Sequence, residues 1–179
     1  MGRDFLRRDD RAAIRRILGH PSATEQNPNV VRARELFMEG DLHGALQSFP
    51  SAYREERRLL AYFLKAGENY AGAKRQLGES SKKLYHTAYQ SYIFNVALSE
   101  RLERTGRVLG TLLEGDIAYL HRNGAVFWVG DPAAEAPRAE AFEISPTGPI
   151  FGKKMPQPGG MEAEIEIGIL AREGILPSE

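Results

Sequence analysis

The sequence predicts an α+β fold, with an N-terminal helical half packed with a small, mainly antiparallel sheet and a C-terminal helix. Up to Arg104, apolar residues recur at helical spacing, and capping residues and glycines separate the segments. After Gly106, short apolar runs are separated by turn residues, as strands are. Because the helical segments precede the strands and do not alternate with them, the order is typical of α+β domains.

Five short helices are predicted before residue 79. Each begins at a residue whose side chain can accept from the first free backbone N–H groups, or ends at a glycine or proline. The predicted segments are Asp9 or Asp10 to Gly19, Val30 to Phe37 with Gly40 as the stop, Asp41 to Phe49, Ser51 to Leu64, and Asn69 to Leu77.

A longer helix is predicted from Ser80 to Arg104. No charged residue occurs between Lys83 and Glu100, with histidine counted as neutral. A helix that is apolar on nearly all sides is covered on most of its faces. We therefore expect this helix to be the packing spine of the fold.

The helical wheel of this segment has one main apolar sector. Three polar residues fall inside that sector at spacings of four, and buried polar groups need hydrogen-bond partners. We therefore expect Ser91, Asn95 and Ser99 to bond to neighbouring loops. The apolar members of the sector are Leu84, Ala88, Tyr92, Leu98 and Leu102, and the apolar surface extends round the other side through Tyr85, Tyr89, Ile93 and Val96.

The second half of the chain is predicted to hold the sheet and one more helix. Asn123-Gly124 is a good hairpin turn because both residues tolerate positive φ. For residues 161–172, apolar alternation fits a strand, whereas a repeat of four and helix-forming residues fit a helix, which we predict. The predicted segments are strands at Val108–Leu113, Ile117–His121, Ala125–Val129 and Ala141–Ile144, loops at Gly130–Ala139 and Ser145–Gly160, and a helix at Met161–Arg172.

Composition narrows the possible functions. The 179 residues include no Cys, which excludes disulfides, thiolate nucleophiles and cysteine zinc sites and suits the reducing cytoplasm. No apolar run reaches the length of a membrane span. With 24 Lys and Arg against 24 Asp and Glu, the chain lacks the basic excess of a strong stand-alone nucleic-acid binder.

The titratable residues give no metal site. The histidines outside the long helix lack metal-ligand spacing. On a helix, Glu162 and Glu166 share a face while Glu164 points away, and we interpret all three as a solvated acidic surface. The sequence therefore predicts no metal site.

Three stretches carry most of the information. Residues 86–95 read His-Thr-Ala-Tyr-Gln-Ser-Tyr-Ile-Phe-Asn and are followed by Ser-Glu-Arg-Leu at 99–102. Leu-Glu-Gly-Asp occupies 113–116, and Ile-Ser-Pro-Thr-Gly-Pro-Ile-Phe-Gly occupies 144–152. In this order and spacing they resemble the TruD family of pseudouridine synthases over nearly the whole chain.

The resemblance implies an activity. Members of the family isomerise uridine to pseudouridine in RNA, typically at position 13 of tRNA, with an essential aspartate and no cofactor. Because the base is detached, rotated and rejoined through C5, it must leave its stack and enter a pocket. The resemblance therefore implies tRNA as the partner.

The family's catalytic aspartate lies in a Gly-x-Lys-Asp-x-x-Ala segment that this sequence lacks. Residues 69–78 look like a second active-site motif of the family, but the Phe is missing and the basic residue is displaced. We therefore interpret residues 1–179 as one domain, the family's inserted domain, with segments of the catalytic domain missing on both sides. That missing domain would be the second partner; no membrane partner is predicted, and the sequence leaves the oligomeric state open.

The resemblance and the residue types give tentative RNA-binding positions on the long helix and on the 144–152 segment. Aromatic rings can stack on bases, and a glycine-rich loop with lysines can meet phosphates. The alternative for the helix is a packing role, and for the loop a structural one. The positions are His86, Tyr89, Gln90, Asn95, Thr147, Gly148, Phe151, Lys153 and Lys154.

The leading hypothesis is thus that the chain is part of a tRNA pseudouridine synthase. In this hypothesis the chain shapes the RNA cleft and lacks the catalytic aspartate. The alternative is a stand-alone, non-catalytic module that binds RNA or protein. An unrelated helical interaction domain would be favoured only if the strand half were not strand.

Overall fold

A computed structural model describes residues 1–106, 108, 110–152 and 154–175. The chain divides into two compact units, Met1–Ala88 and Tyr89–Glu179. The sequence analysis treated 1–179 as one domain, and its assignment to the family's inserted domain stays a prediction.

The Met1–Ala88 unit is helical, as predicted. Predicted caps are in place: the side chains of Asp9, Asp41 and Asn69 accept from backbone N–H groups three residues ahead. Gly40 ends its helix with φ +89°, a left-handed conformation that favours glycine. The helices are α1 (Gly2–Leu6), α2 (Asp10–Gly19), α3 (Pro28–Glu39), α4 (Leu42–Ser48), α5 (Arg54–Ala66) and α6 (Tyr70–Arg75).

The core of this unit is formed by the apolar faces of these helices, including Ile14, Leu18, Leu60 and Phe63. Each of these four side chains is at most 2 % exposed. Arg57 closes the end of α4, because its Nη1 donates to the carbonyls of Leu46 and Phe49 at 2.6 and 2.7 Å. Free carbonyls at a helix end are thereby satisfied.

The long helix, α7, runs from Glu79 to Arg104, but only one narrow face of it is buried. The buried residues are Ile93, Ala97 and Arg101. Leu84 is 64 % and Tyr92 49 % exposed. The prediction that α7 is covered by the rest of the fold on most of its faces is therefore wrong.

The three polar residues of the predicted sector, Ser91, Asn95 and Ser99, are exposed. They need no partner in the fold, because water can satisfy an exposed polar group. Ile93 and Ala97 lie on the opposite side of the helix and recur at a spacing of four. Because the sequence is apolar on both sides of this helix, the pattern does not show which side is buried.

The sheet contains the predicted hairpin, and the first strand of the hairpin is the central strand. β1 (Ile117–Leu120) pairs antiparallel with β2 (Val126–Trp128), with Ala118 opposite Phe127. β1 also pairs antiparallel with β3 (Ile144–Pro146), which gives the order β2-β1-β3. Gly124 in the turn has φ +75°, as expected for Asn-Gly.

Two predicted strands are corrected. In Val108–Leu113, the described residues form no strand, because backbone groups there bond to side chains: Thr111 O accepts from Arg101, and Leu113 N donates to Asp116. In Ala141–Ile144, Phe142 has φ +55° and cannot continue a strand, so β3 begins only at Ile144.

The predicted loop Gly130–Ala139 is instead largely a helix, α8 (Pro132–Glu140). Asp131 caps it by accepting from the N–H groups of Ala133 and Ala134. Proline at the first helical position loses no hydrogen bond, so Asp-Pro is a helix start. Pro137 lies inside α8. Because two prolines within six residues are typical of a loop, the sequence predicts a loop here.

The C-terminal helix is confirmed as α9 (Gly160–Glu173). Its Ile165 and Ile169 pack with Ile93 and Ala97 of α7. A second cluster joins the sheet to its neighbours through Ala118, Val129, Ile144 and Leu112. Among the described residues, no helix is long and apolar enough to cross a membrane.

Candidate functional site

A buried charge cluster formed by Arg101, Asp116 and Glu162 lies inside the Tyr89–Glu179 unit. Arg101 donates from Nη1 to Asp116 Oδ1 at 2.8 Å and to Glu162 Oε2 at 2.7 Å. Its Nη2 donates to Asp116 Oδ2 at 2.5 Å and to the carbonyl of Thr111 at 2.8 Å. The three residues are at most 5 % exposed. The cluster therefore ties α7, the segment before β1, and α9 to one guanidinium group.

The Leu113–Asp116 stretch has a structural explanation in this cluster. Asp116 Oδ2 also accepts from the N–H of Leu113 at 2.8 Å, which closes a tight turn. Gly115 at φ +88° lies against Gly159, where an added Cβ would come within 2.6 Å of backbone carbon. The N–H of Gly159 donates to the carbonyl of Gly115 at 2.7 Å. Only glycine at 115 allows this approach without strain.

Burial sets the direction of the pKa values in the cluster. Burial alone would lower the pKa of Arg101, but its hydrogen bonds and charges with Asp116 and Glu162 raise that pKa. Burial raises the pKa of Glu162, and the hydrogen bond from Arg101 offsets only part of this effect. Arg101 therefore carries the positive charge of the cluster, and both Nη atoms of its guanidinium group donate to Asp116.

The 144–152 segment starts on the sheet and is held by backbone and side-chain bonds. The N–H and hydroxyl of Thr147 both donate to the carbonyl of Ile117, at 2.9 and 2.8 Å. Gly148 lies against Phe94 of α7, where an added Cβ would come within 2.6 Å of the ring. Gln90 donates from Nε2 to the carbonyl of Phe151 at 2.7 Å.

Five of the predicted RNA-binding residues make packing contacts or hydrogen bonds within the Tyr89–Glu179 unit. Tyr89 and Phe151 pack against the apolar cluster of α7 and α9, and the hydroxyl of Tyr89 donates to Glu173 at 2.8 Å. Gln90 and Thr147 hold the segment, and Gly148 makes room for it. Their positions have structural reasons, and any RNA contact by them stays a prediction.

The remaining predicted positions are exposed or not described. Asn95 and Lys154 are exposed, as RNA contact requires. His86 is also exposed and lies edge-on to Phe5, with ring centroids 6.4 Å apart. Lys153 lies outside the described residues.

A cavity of about 640 Å³ opens beside the 144–152 segment, within the Tyr89–Glu179 unit. Its size is that of pockets that bind small molecules. Three prolines, Pro149, Pro156 and Pro158, contribute to walls that are mostly apolar, and two carboxyl groups and one lysine contribute charge. The remaining lining residues are Ile117, Val126, Thr147, Gly148, Ile150, Gly152, Lys154, Met155, Glu162 and Glu166.

Glu166 is the unusual residue of this cavity. It is 5 % exposed, and no hydrogen bond or ion pair joins its carboxyl group to the residues that the structure describes. Burial, and secondarily the charge of Glu162, raise the pKa of Glu166 from 4.5 to about 7. The predicted solvated acidic surface is therefore wrong for Glu162 and Glu166, whereas Glu164 is exposed and pairs with Arg104 at 3.3 Å.

The sequence matches the family described as tRNA pseudouridine synthase D (TruD) over residues 1–179. The chain belongs to the TruD family. It is 41 % identical over 178 residues to the tRNA pseudouridine synthase D of Geobacter metallireducens, and the match covers 99 % of this chain but 43 % of that protein. It is 37 % identical over 103 residues to the probable tRNA pseudouridine synthase D of Saccharolobus solfataricus, covering 58 % of this chain and 26 % of that protein.

The fold is also similar to a solved TruD-family structure. The crystal structure of the putative tRNA pseudouridine synthase D from Methanosarcina mazei superposes with a TM-score of 0.86 at 24 % identity, over 98 % of this chain and 42 % of that one. The predicted α+β fold is thereby confirmed. The TruD-family chain spans less than half the length of these full relatives.

Sequence reasoning missed the buried acids of this TruD-family chain. A signal for them was present: Glu162, Ile165, Glu166 and Ile169 form one stripe at spacings of three and four, so the two acids share the apolar face. Arg101 and Asp116 were inside quoted motifs, but no pattern in the sequence joins them.

Replacing Glu166 with glutamine is expected to remove a pH-dependent loss of stability. Because the pKa is raised in the folded state, the stability that Glu166 contributes is fully present below pH 4.5 and is lost as the pH rises through about 7. The free-energy advantage of Glu166→Gln over the natural chain should therefore grow between pH 5 and pH 8, by roughly 2–3 kcal/mol.

Urea unfolding followed by the fluorescence of Trp128, the one tryptophan of the chain, measures this difference. Glu164→Gln on the exposed side of α9 is the matched control and should change stability equally at both pH values. An advantage of Glu166→Gln that is the same at pH 5 and pH 8 would contradict a raised pKa.

Proposed function

We propose that this chain is part of a tRNA pseudouridine synthase that isomerises uridine to pseudouridine at position 13 of tRNA. In this proposal the chain forms one wall of the RNA cleft, and residues beyond those of the chain supply the catalytic aspartate. The observation that carries the proposal is the family match over residues 1–179 together with coverage of only 43 % of a full relative.

The aspartates of the chain support a non-catalytic role. None of the six follows a lysine, as the family's catalytic residue does. Each has a structural partner: three cap helices and three accept from cations. The caps are Asp9, Asp41 and Asp131, and the ion pairs are Asp4 with Arg16, Asp10 with Lys74 and Asp116 with Arg101. An aspartate committed in this way is poorly placed to attack or deprotonate a substrate.

The proposed RNA-contacting groups are the exposed members of the predicted set: His86, Asn95, Gly148 and Lys154, together with Lys153 from the sequence. The ammonium group of a lysine on a glycine-rich loop can bind a phosphate of the RNA. The backbone of Gly148 is exposed and has no side chain, so it can approach the RNA closely. In the proposal, Tyr89, Gln90, Thr147 and Phe151 position the loop that presents these groups.

The exposed side of α7 supports a second partner, the remainder of the same protein. Ser91, Tyr92, Asn95 and Ser99 are exposed and uncharged. An RNA-binding face would carry cations, since phosphate neutralisation dominates affinity for nucleic acid. We therefore assign most of this face to the catalytic domain, with Asn95 at its border.

The chain alone should bind a tRNA transcript with salt-dependent affinity and form no pseudouridine. Filter binding between about 50 and 200 mM salt, and a tritium-release assay on the same transcript, measure both quantities. Lys154→Ala should weaken binding and reduce the salt dependence. Pseudouridine formation by the chain alone would contradict the proposal that the chain lacks the catalytic aspartate. Absence of tRNA binding would contradict the proposal that it forms a wall of the RNA cleft.

A further inference from the structure

We propose that the cavity beside the 144–152 segment binds one unstacked guanine of the RNA, with the Glu166 carboxylate accepting from its Watson–Crick edge. The inference rests on the proposed function, because it takes RNA as the ligand, and goes beyond it by naming a base and the residue that reads it.

The walls of the cavity suit a flat aromatic ligand. Pro149, Pro156 and Pro158, with Ile117 and Met155, line it, and Pro149 and Ile117 are buried. Unstacked bases are held between apolar side chains when they enter a protein pocket. A volume of about 640 Å³ leaves room for a base with its ribose.

Among the described residues, the one buried side-chain polar group of the cavity that is left free is an acceptor. The hydroxyl proton of Thr147 is given to the carbonyl of Ile117, and Glu162 already accepts from Arg101. Glu166 as a residue is 5 % exposed, and its carboxyl group has no hydrogen-bond or ion-pair partner among the residues that the structure describes. Such a group costs free energy until it is satisfied, so the ligand that fits best brings N–H donors.

Guanine presents two adjacent donors, N1–H and N2–H₂, which match the two oxygens of one carboxylate. Adenine and cytosine present a single amino group, and uracil presents one N–H between two carbonyls, so each leaves an oxygen of Glu166 unpaired or repelled. Lys154 also lines the cavity and is exposed. Its ammonium group suits the phosphate of a nucleotide and disfavours a lysine or arginine from a protein partner.

Binding of four single-stranded pentanucleotides to the chain tests the assignment: pentauridine and its variants with G, A or C at the centre. Fluorescence anisotropy at fixed salt and at pH 8, where Glu166 is ionised, should show that the G pentamer binds about tenfold more tightly than pentauridine. A bidentate base contact discriminates on this scale. Glu166→Gln should bring that ratio close to one, chiefly by weakening the binding of the G pentamer.

Glu164→Gln is the matched control, because Glu164 lies on the exposed side of the same helix. This variant should keep the preference for the G pentamer. Urea unfolding followed by Trp128 fluorescence establishes that Glu166→Gln is folded. Equal binding of all four pentamers, a preference for another base, or a G preference that survives Glu166→Gln would overturn the inference. So would displacement of the G pentamer by arginine amide as effectively as by guanosine monophosphate.

The failures of the two proposals are distinguishable. If tRNA binds and the pentamers show no base preference, only the guanine site is wrong. If neither tRNA nor any pentamer binds, the cleft role and the guanine site both fail.

Discussion

Replacing Arg101 with methionine is expected to lower the free energy of unfolding by about 3–5 kcal/mol, because Asp116 and Glu162 would then be buried without their cation. Arg101 donates four hydrogen bonds within the Tyr89–Glu179 unit. Methionine keeps much of the length and apolar surface of the side chain, so the loss measures the charge and its hydrogen bonds. Urea unfolding followed by Trp128 fluorescence gives the value.

The matched control is Arg104→Met, one turn from Arg101 on α7. Arg104 pairs with Glu164 on the surface, where both side chains are exposed, and exposed pairs contribute about 0–1 kcal/mol. If the two variants lost the same stability, the charge cluster would not be a buried support of this unit.

The second large effect is expected for Gly115→Ala, which should lower the free energy of unfolding by about 3 kcal/mol or more. Alanine at φ +88° is strained, and its Cβ would come within 2.6 Å of the backbone of Gly159. Because backbone cannot rotate away as a side chain can, either the turn before β1 or the start of α9 must shift. Thermal unfolding with the natural chain as reference measures the loss.

Gly168→Ala gives the opposite sign and serves as the control. Gly168 lies inside α9, and an added Cβ would meet nothing within 4 Å. Alanine is favoured over glycine in a helix interior, so this variant should gain roughly 0.5–1 kcal/mol. A similar loss in both glycine variants would show that the close approach of Gly115 to Gly159 does not matter.

Capping and turn residues in the sequence predicted those elements whose formation depends on residues close together in the chain. Asp9, Asp41 and Asn69 cap helices because their side chains reach N–H groups three residues away. The Asn123-Gly124 turn likewise depends only on its own backbone. The existence of the helices, the hairpin and α9 followed from such signals.

Long-range packing decided what the sequence did not reveal. On α7, apolar residues occur on both sides, so the wheel could not say that Ile93 is buried and Tyr92 exposed. The sequence predicts an exposed Glu166 because glutamate usually is exposed, whereas the fold buries it at the wall of the cavity beside the 144–152 segment. The bonds of Arg101 to Asp116 and Glu162 join residues 15 and 61 positions apart, and no local pattern encodes them.

The candidate site shows the same division. The 144–152 motif was singled out from the sequence, but its cavity depends on α9 and β1 as well. The family resemblance located the segment, whereas the buried carboxyl group and the walls became visible only in three dimensions.

The most direct test of the proposed function replaces the matching region of the Geobacter metallireducens tRNA pseudouridine synthase D with this chain. The measurement is pseudouridine at position 13 of a tRNA transcript. If the chain forms the cleft wall, the chimera should form pseudouridine there, and Lys154→Ala in the chimera should raise KM more than it lowers kcat. A folded chimera that binds no tRNA and forms no pseudouridine would contradict the account.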